Sequence, residues 1–348
     1  MQMSFRRFRF FTALGAALLL AGGCCAIDED RSDCDQDFGI DYELRLVTNM
    51  STEIRTQLGM ETDVAVAAAL KEYLKDIFTD FAHDVDLSFY DVQGDSLRLH
   101  HESHIMDANQ TSYALFLPVR RYMHTAIANL EDNRQAVLRD DDRCHPAKLR
   151  QETPDTIGIH GTGLFTARLP MDILEGTDQQ FHVHLYMANC ASALVLDPRQ
   201  VATTQVKAFT TGFATGFSIC DSLFRFSGKG PVVRTERVPV NDSPELCFCS
   251  VNFPSREKPQ TKVVIETEDP FLAEAQEESL WEYHVYVTLP GGSITRSVLY
   301  LRKPLRAGQL KIIRGYLGGE GQVITEDHDV GVSVQLDWTP GMEFNPVL

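Results

Sequence analysis

The chain has 348 residues, with 32 Lys and Arg against 49 Asp and Glu, a formal charge of −17 and 43% hydrophobic content. That charge argues against nucleic acid and anionic lipid as partners, because both are held through clustered Lys and Arg. The hydrophobic content supports real cores, and the length suits two domains at roughly 100–200 residues each.

The first element is a leader. Arg6, Arg7 and Arg9 form a basic start, and Phe10 to Ala21 follow as an apolar run broken only by Thr12 and Gly15. Small residues Ala21, Gly22 and Gly23 then lead into Cys24. A basic start, about 7–15 apolar residues and small residues at the cut describe a secretory signal, too short to span a bilayer. The ending Leu20-Ala21-Gly22-Gly23-Cys24 resembles the bacterial lipobox. In that motif the cysteine thiol receives a diacylglyceryl group and cleavage makes the cysteine the new N-terminus. Cys24 is therefore the expected lipidation site. Ala21 is smaller than the residue usual at its place, and Cys25 is the second choice. The alternative is a secreted protein cut by ordinary signal peptidase.

Cleavage before Cys24 removes three arginines and no acid, which leaves 325 residues of net charge −20. One acyl chain, at about 0.8 kcal/mol per buried methylene, holds a protein only marginally, whereas two or more hold it stably. The body then needs no transmembrane helix, and charge interrupts every later apolar stretch. Ile27-Asp28-Glu29-Asp30-Arg31-Ser32-Asp33 forms a solvated tether. Its acids resemble the run that routes some lipoproteins to the outer cell surface; a plain polar spacer is the other reading.

Beyond the tether, period-2 patterns dominate. Tyr42–Thr48 alternates as a half-buried strand. Val85–Tyr90 and Ser96–His100 flank a turn at Gly94 and predict a hairpin. Ser112–Leu117 and Tyr122–Ile127 flank Pro118. Phe181–Tyr186 and Ala193–Leu196 follow, then Val263–Thr267, Trp281–Thr288, Ser297–Leu301 and Val330–Trp338. Strands of this length between Gly, Pro, Asn and Asp turns indicate β-sandwiches. One helix interrupts them. Thr62-Asp63 can cap it, and Val64, Ala67, Ala68, Tyr73, Leu74, Ile77, Phe78 and Phe81 give an apolar stripe expected to cover one face of the first sheet. Residues 145–178, rich in Pro, Gly, Thr and Asp, hold the expected change of domain.

Eight cysteines occur, at 24, 25, 34, 144, 190, 220, 247 and 249. Export permits disulfides, but the spacing fixes no pairing. Cys247 and Cys249 alternate, so both face one side of a strand. They could be zinc ligands, but no second pair of ligands stands at a recognisable spacing, and buried free thiols are the favoured reading.

Catalytic motifs are missing. There is no His-Glu-x-x-His, no Gly-x-Ser-x-Gly, no phosphate-binding glycine loop and no Cys-x-x-Cys. His182 and His184 share a strand face in metal-capable geometry, yet no third ligand can be named. His100, His101 and His104 cluster with Glu102 at a hairpin edge and suit a solvated surface better than a metal. Trp281 and Trp338 could stack on a sugar, but their strand contexts suit a core. The expectation is no enzyme, no cofactor and no metal.

The last third resembles the FimB/Mfa-type fimbrial anchor family of lipoproteins. The resemblance is carried by Lys303-Pro304-Leu305-Arg306-Ala307-Gly308-Gln309-Leu310-Lys311-Ile312-Ile313, by the turn Gly318-Gly319-Glu320-Gly321, and by Val330-Gly331-Val332-Ser333-Val334-Gln335-Leu336-Asp337-Trp338-Thr339-Pro340-Gly341. Phe89-Tyr90-Asp91 before Gly94 is similar to the family's first hairpin. Tyr113 to Ala128 is similar to its strand-Pro-strand unit, with Arg120-Arg121 where a glycine turn is common. The resemblance implies a mainly β fold of two transthyretin-like β-sandwich domains, with one covering helix in the first. The expected division is signal peptide 1–23, tether 24–33, N-terminal sandwich 34–175 and C-terminal sandwich 176–348. It also implies an outer-membrane lipoprotein that anchors and terminates a type V fimbria, or a minor fimbrial component, with a fimbrial shaft subunit as partner. Which residues touch that partner is not readable. A surface glycan-binding lipoprotein is the alternative, and an exported enzyme with an unrecognised site the third reading. The alternation of Val330, Val332, Val334 and Leu336 with small or polar residues predicts a last strand laid against the second core. The N-terminal strand is likewise expected to stay in place.

Overall fold

The computed structural model describes residues 37–47, 50–61, 63–78, 82–93, 96–105, 112–131, 133–139, 141–146, 148–151, 156–176, 178–227, 230–258 and 279–336. Cys24, Cys25, the tether, the Gly94 turn, Phe81, Val263–Thr267 and Trp338 lie outside these residues. The described chain is mainly β.

In chain order it forms β1 (Asp37–Val47), α1 (Met50–Met60), α2 (Val64–Ile77), β2 (Asp84–Asp91), β3 (Arg98–Ile105), β4 (Ser112–Pro118), β5 (Arg121–Ala128), β6 (Ala136–Arg139), β7 (Lys148–Gln151), β8 (Thr156–Ile157), β9 (Phe165–Asp172), β10 (Gln179–Met187) and β11 (Cys190–Asp197). There follow β12 (Gln205–Thr211), β13 (Gly216–Ser218), β14 (Leu223–Arg225), β15 (Val232–Arg234), β16 (Glu236–Val238), β17 (Leu246–Asn252), β18 (Trp281–Thr288), β19 (Ile294–Leu301), β20 (Leu310–Leu317), β21 (Val323–Ile324) and β22 (Val330–Gln335).

A seven-stranded sheet runs β3-β2-β5-β9-β10-β1-β4. Its β9 and β10 pair at only two positions, Tyr186 with Thr166 and Met187 with Phe165. The sheet therefore folds at that corner into two halves. Val85, Leu87, Phe89, Tyr122 and Met171 from one half share a core with Ile40, Tyr42, Leu44, Leu117 and Leu185 from the other. This is the first sandwich. The Tyr42 hydroxyl of β1 meets His124 Nε2 of β5 at 2.5 Å, across the two halves.

The second sandwich packs a five-stranded sheet, β16-β17-β11-β20-β21, on a six-stranded one, β22-β19-β18-β12-β15-β8. Leu194, Leu196, Phe248 and Ile313 of the first meet Trp281, Tyr283, Val285, Leu299 and Leu301 of the second. Two strands of the five-stranded sheet, β11 and β17, are buried on both faces. Ala191, Ala193 and Val195 of β11 and Cys247 and Cys249 of β17 look the other way, into the first core. Burial on both sides explains why β11 and β17 carry unbroken apolar runs.

Among the described residues there are two helices rather than one: α1 packs on β20 and α2 on β16, and the buried face of α2 lies in one core with Val85, Leu87 and Phe89 of the first sheet. The cap is where the sequence puts it: Asp63 Oδ1 accepts from the amides of Ala65 at 2.8 Å and Val66 at 3.1 Å. The stripe is out of phase at its start. The buried face is Val66, Leu70, Leu74 and Ile77, whereas Val64 is 81% exposed. Val64 is the first residue after the cap and points off the end, and an Ala-rich first turn does not define a face by itself.

β10, residues 179–187, still pairs along β1, and the chain leaves the first sandwich between Met187 and Cys190. Residues 136–157, in the other direction, pair with strands of the second half. β7 joins β13 in a four-stranded sheet, β14-β13-β7-β6, and β8 joins β15 in the six-stranded one. Cys144 and Cys220 form a disulfide across the four-stranded sheet's core. No helix among the described residues is long and apolar enough to cross a membrane.

Candidate partner-binding edge

The chemistry-bearing side chains singled out in sequence are spread over the fold. His182 and His184 are exposed on β10, and His182 Nδ1 lies 2.7 Å from Glu43 on β1. Glu43 is held below the usual carboxylate range, chiefly by the Arg45 guanidinium, which works against burial, and then by His182. On β3, His100 pairs with Glu102 at 2.7 Å and His101 with Asp86 at 2.6 Å. Among the described residues, three metal-capable groups converge only at His145, Cys220 and Asp221, and the Cys220 sulfur is already bonded to Cys144. Cys247 and Cys249 are buried free thiols; burial pushes Cys247 up to about 12 and Cys249 well above its ordinary value.

The aromatic residues do not gather either. Trp281 is 2% exposed, donates from Nε1 to Lys303 O at 3.0 Å and packs on Phe213 and Tyr283, as a core residue should. The exposed Phe116 and Tyr186 stand beside β1 at Gly39 and Val47. Eight strand residues separate those positions by about 26 Å, so the two rings cannot clasp one sugar.

The sheet edges are more informative. An edge strand offers a free row of backbone N–H and C=O groups, and proteins normally blunt it with charge, shortness or cover. β3 carries Arg98, His100, His101 and Glu102; β16 has three residues, including Glu236 and Arg237; β8 has two. Two edges are long and uncharged: β4, Ser112–Pro118, and β22, Val330–Gln335. They differ beneath. The inward residues Leu115 and Leu117 of β4 are at most 1% exposed. On β22 only Val330 is covered, at 9%, while Val332, Val334 and Leu336 are 38%, 41% and 50% exposed.

The sequence expectation for this last strand is thus half met. β22 is fixed antiparallel to β19, from Arg296–Gln335 to Leu301–Val330. Its apolar row lies on the core side, because Val332 pairs with Leu299 and Val334 with Ser297, both fully buried. Yet the row is not sealed. The facing sheet ends in β21, two residues long, which pairs with β20 only at Tyr316 and Leu317. Nothing in a strand's own alternation tells how far the opposite sheet extends, so this was not legible in sequence.

Polar pins hold the margin in place. Lys303 Nζ meets Asp329 at 2.7 Å and Lys311 Nζ meets Asp327 at 3.0 Å. Burial pushes the Asp327 carboxyl up, but Lys311, the Asp329 amide and Lys303 outweigh it and leave it below its usual value. Deeper in, Arg314 of β20 binds Glu61 through Nε at 2.7 Å and also through Nη2, and binds Glu245 through Nη1 at 2.6 Å. That guanidinium ties the end of α1 to the five-stranded sheet.

No family model matches the chain, and no curated protein matches it. Solved structures do. An adhesin candidate from Bacteroides ovatus aligns over 79% of this chain and 86% of its own, with 11% identity and a TM-score of 0.49. A polysaccharide-binding candidate from Bacteroides thetaiotaomicron aligns over 84% and 97%, with 10% identity and a TM-score of 0.48. The fimbrial anchor protein Mfa2 from Porphyromonas gingivalis aligns over 86% and 99%, with 10% identity and a TM-score of 0.45.

Proposed function

We propose that this chain is a non-enzymatic, fimbria-associated lipoprotein of the outer membrane, anchored by lipid on Cys24, that meets a fimbrial shaft subunit through the open edge of β22. The observation that carries the contact is the coincidence, on one strand, of a backbone edge unpaired among the described residues with the partly uncovered row Val332, Val334 and Leu336. A strand laid beside β22 would satisfy the free N–H and C=O groups, and alternate apolar residues on it would cover the row. Such pairing needs no catalytic residue, in keeping with the absence of catalytic motifs from the sequence. The family resemblance of residues 303–341 supports a fimbrial partner, and the Leu20–Cys24 ending supports the anchor. The acids Asp28, Glu29 and Asp30 support display on the outer face.

The experiment is a pull-down from detergent extracts with a Val332→Lys/Val334→Lys chain beside the unaltered one. The unaltered chain should capture a shaft subunit, and the double variant should lose at least tenfold of it while remaining folded. Equal capture by both would remove β22 from the contact; cell-attached fimbriae of normal length in a deletion strain would remove the anchoring role. Protease added to intact cells should degrade the body, and survival until the outer membrane is broken would place it on the inner side.

A further inference from the structure

After β5 the chain passes between its sandwiches three times. It first goes out to β7 and β8, which pair with β13 and β15, then returns for β9 and β10, and crosses finally between Met187 and Cys190. Before β7 it still touches the first sandwich, where Arg143 bridges Leu97 and the Cys144 amide donates to Ser96 O at 3.0 Å. β6 to β8 therefore form a strap from one body to the other. Its hold by ladder is short. β7 pairs with β13 at three positions, 148–150 against 216–218, and β8 pairs with β15 at two. The fit there is close: a side chain on Gly216 would put its Cβ 2.8 Å from Leu149 O. Cys144, at 1% exposure, and Cys220, at 5%, are bonded to each other in the same small core as Leu149, Phe217, Ile219 and Phe253.

We infer that the Cys144–Cys220 disulfide is a covalent clamp, which fastens this strap and keeps the two sandwiches one load-bearing body when the chain is pulled from its ends. The closed loop, 76 residues in separation, contains the final crossover and β7 to β13. Once the strands before residue 144 give way, tension along the chain passes from residue 144 to residue 220 through the sulfurs. The segment between, which includes β9 and β10, is then not drawn out. Five ladder positions could be peeled by force one after another; a covalent bond cannot. The bond forms when the two thiols give up two protons and two electrons to a disulfide oxidant of the cell envelope, which suits an exported chain.

The clamp is testable on the purified full-length chain, whatever its partner. Pull single molecules from both termini, oxidised and as Cys144→Ala/Cys220→Ala. The oxidised chain should reach a final length shorter by roughly 250–270 Å, from 76 residues at about 3.3–3.6 Å each. Its first rupture force should also be higher, because the variant's strap can peel. Should the variant fold poorly, dithiothreitol applied to the unaltered chain under load gives the same comparison, with a step of the same size when the bond is reduced. Alkylation counting should find Cys144 and Cys220 blocked until reductant is added. Equal lengths and equal first-rupture forces in the oxidised and bond-free chains would overturn the clamp. A length difference with unchanged rupture force would leave a crosslink that bears no load, and would overturn it as well.

Discussion

Acid should loosen this protein at one buried contact that also fixes its N-terminal strand. His124 has no exposed surface, stacks on Phe89 at 4.3 Å, receives the Tyr42 hydroxyl at Nε2 and approaches Ser88 O through Nδ1 at 3.1 Å. That pattern requires the neutral ring with its proton on Nδ1, donating to the carbonyl. Burial lowers its pKa to about 4, with the Ser88 carbonyl drawing it partly back up. His160 is likewise buried, bonded at Nδ1 to Asn189 Nδ2 at 2.6 Å in the final crossover, and burial lowers it to about 3. An unfolded histidine titrates near 6.5. Both folded values are depressed, so the stability these rings contribute is present above pH 6.5 and lost as pH falls toward 4 and 3. At pH 5 the unfolded state has gained about 1.5 pKa units of proton binding per ring, about 2 kcal/mol each at 1.36 kcal/mol per unit. The pair should cost about 4 kcal/mol between pH 7 and 5, a large part of a usual 5–15 kcal/mol. The lowered carboxylates, Glu43, Asp63 and Asp327, act below this window, because their unfolded values are 4.5 or less.

The perturbation is Tyr42→Phe with His124→Phe, which replaces the polar pair by an apolar one that cannot titrate. Urea unfolding at pH 7.0 and 5.0 reads the outcome. The double variant should lose about 2 kcal/mol over that range where the unaltered chain loses about 4, since only His160 remains. Tyr42→Phe alone should cost about 1–2 kcal/mol at pH 7, because His124 Nε2 loses its donor in a dry site. A double variant with undiminished acid sensitivity would refute the assignment of His124 as a buried neutral ring.

Replacing Cys24 by Ala should make the protein soluble and end labelling by a fatty-acid probe; labelling that persists until Cys25 is also replaced would move the site by one residue. Arg314→Ala leaves Glu61, 3% exposed, and Glu245, 11% exposed, without their shared cation. A fully buried pair broken this way costs about 3–5 kcal/mol, and discounting for an Arg314 side chain 37% exposed gives about 2 kcal/mol by urea unfolding; a loss under about 0.5 kcal/mol would show that the pin is idle. Cys190, Cys247 and Cys249 should resist alkylation in the native protein and react in urea, because all three are buried and burial raises their thiol pKa values. Ready labelling of the native chain would contradict their placement.

The strands legible in sequence are those whose burial follows from their own alternation. β18 spans Trp281–Thr288, the run that the alternation marks, and β2 with β3 forms the expected hairpin. β6, β7 and β8 were not legible because they are two to four residues long, and β7 and β8 depend on partners, β13 and β15, more than 60 residues away. α1 escaped notice because Met50–Met60 carries no apolar stripe. The Cys144–Cys220 pairing depends on the same distant contacts. The candidate edge was half legible: the alternation places Val332 and Val334 on the core side, but their exposure is set by the length of β21.

The two chain ends of the described body are held very differently, and this decides which could take part in strand exchange. β1 is laddered on both sides, at eight positions to β10 and seven to β4, and is pinned inward by Tyr42. Withdrawing it would open the first core along its whole length. Among the described residues β22 is laddered on one side only, at six positions to β19, and its core-side valines are only partly covered. A strand arriving at β22 would add pairings without displacing any. The geometry therefore favours acceptance at the C-terminal edge over donation of the N-terminal strand, and a lipid on Cys24 would reinforce that bias by holding the chain that leads into β1. A subunit that accepts a neighbour without giving up its own strand ends a chain of exchanges, which is what an anchor must do.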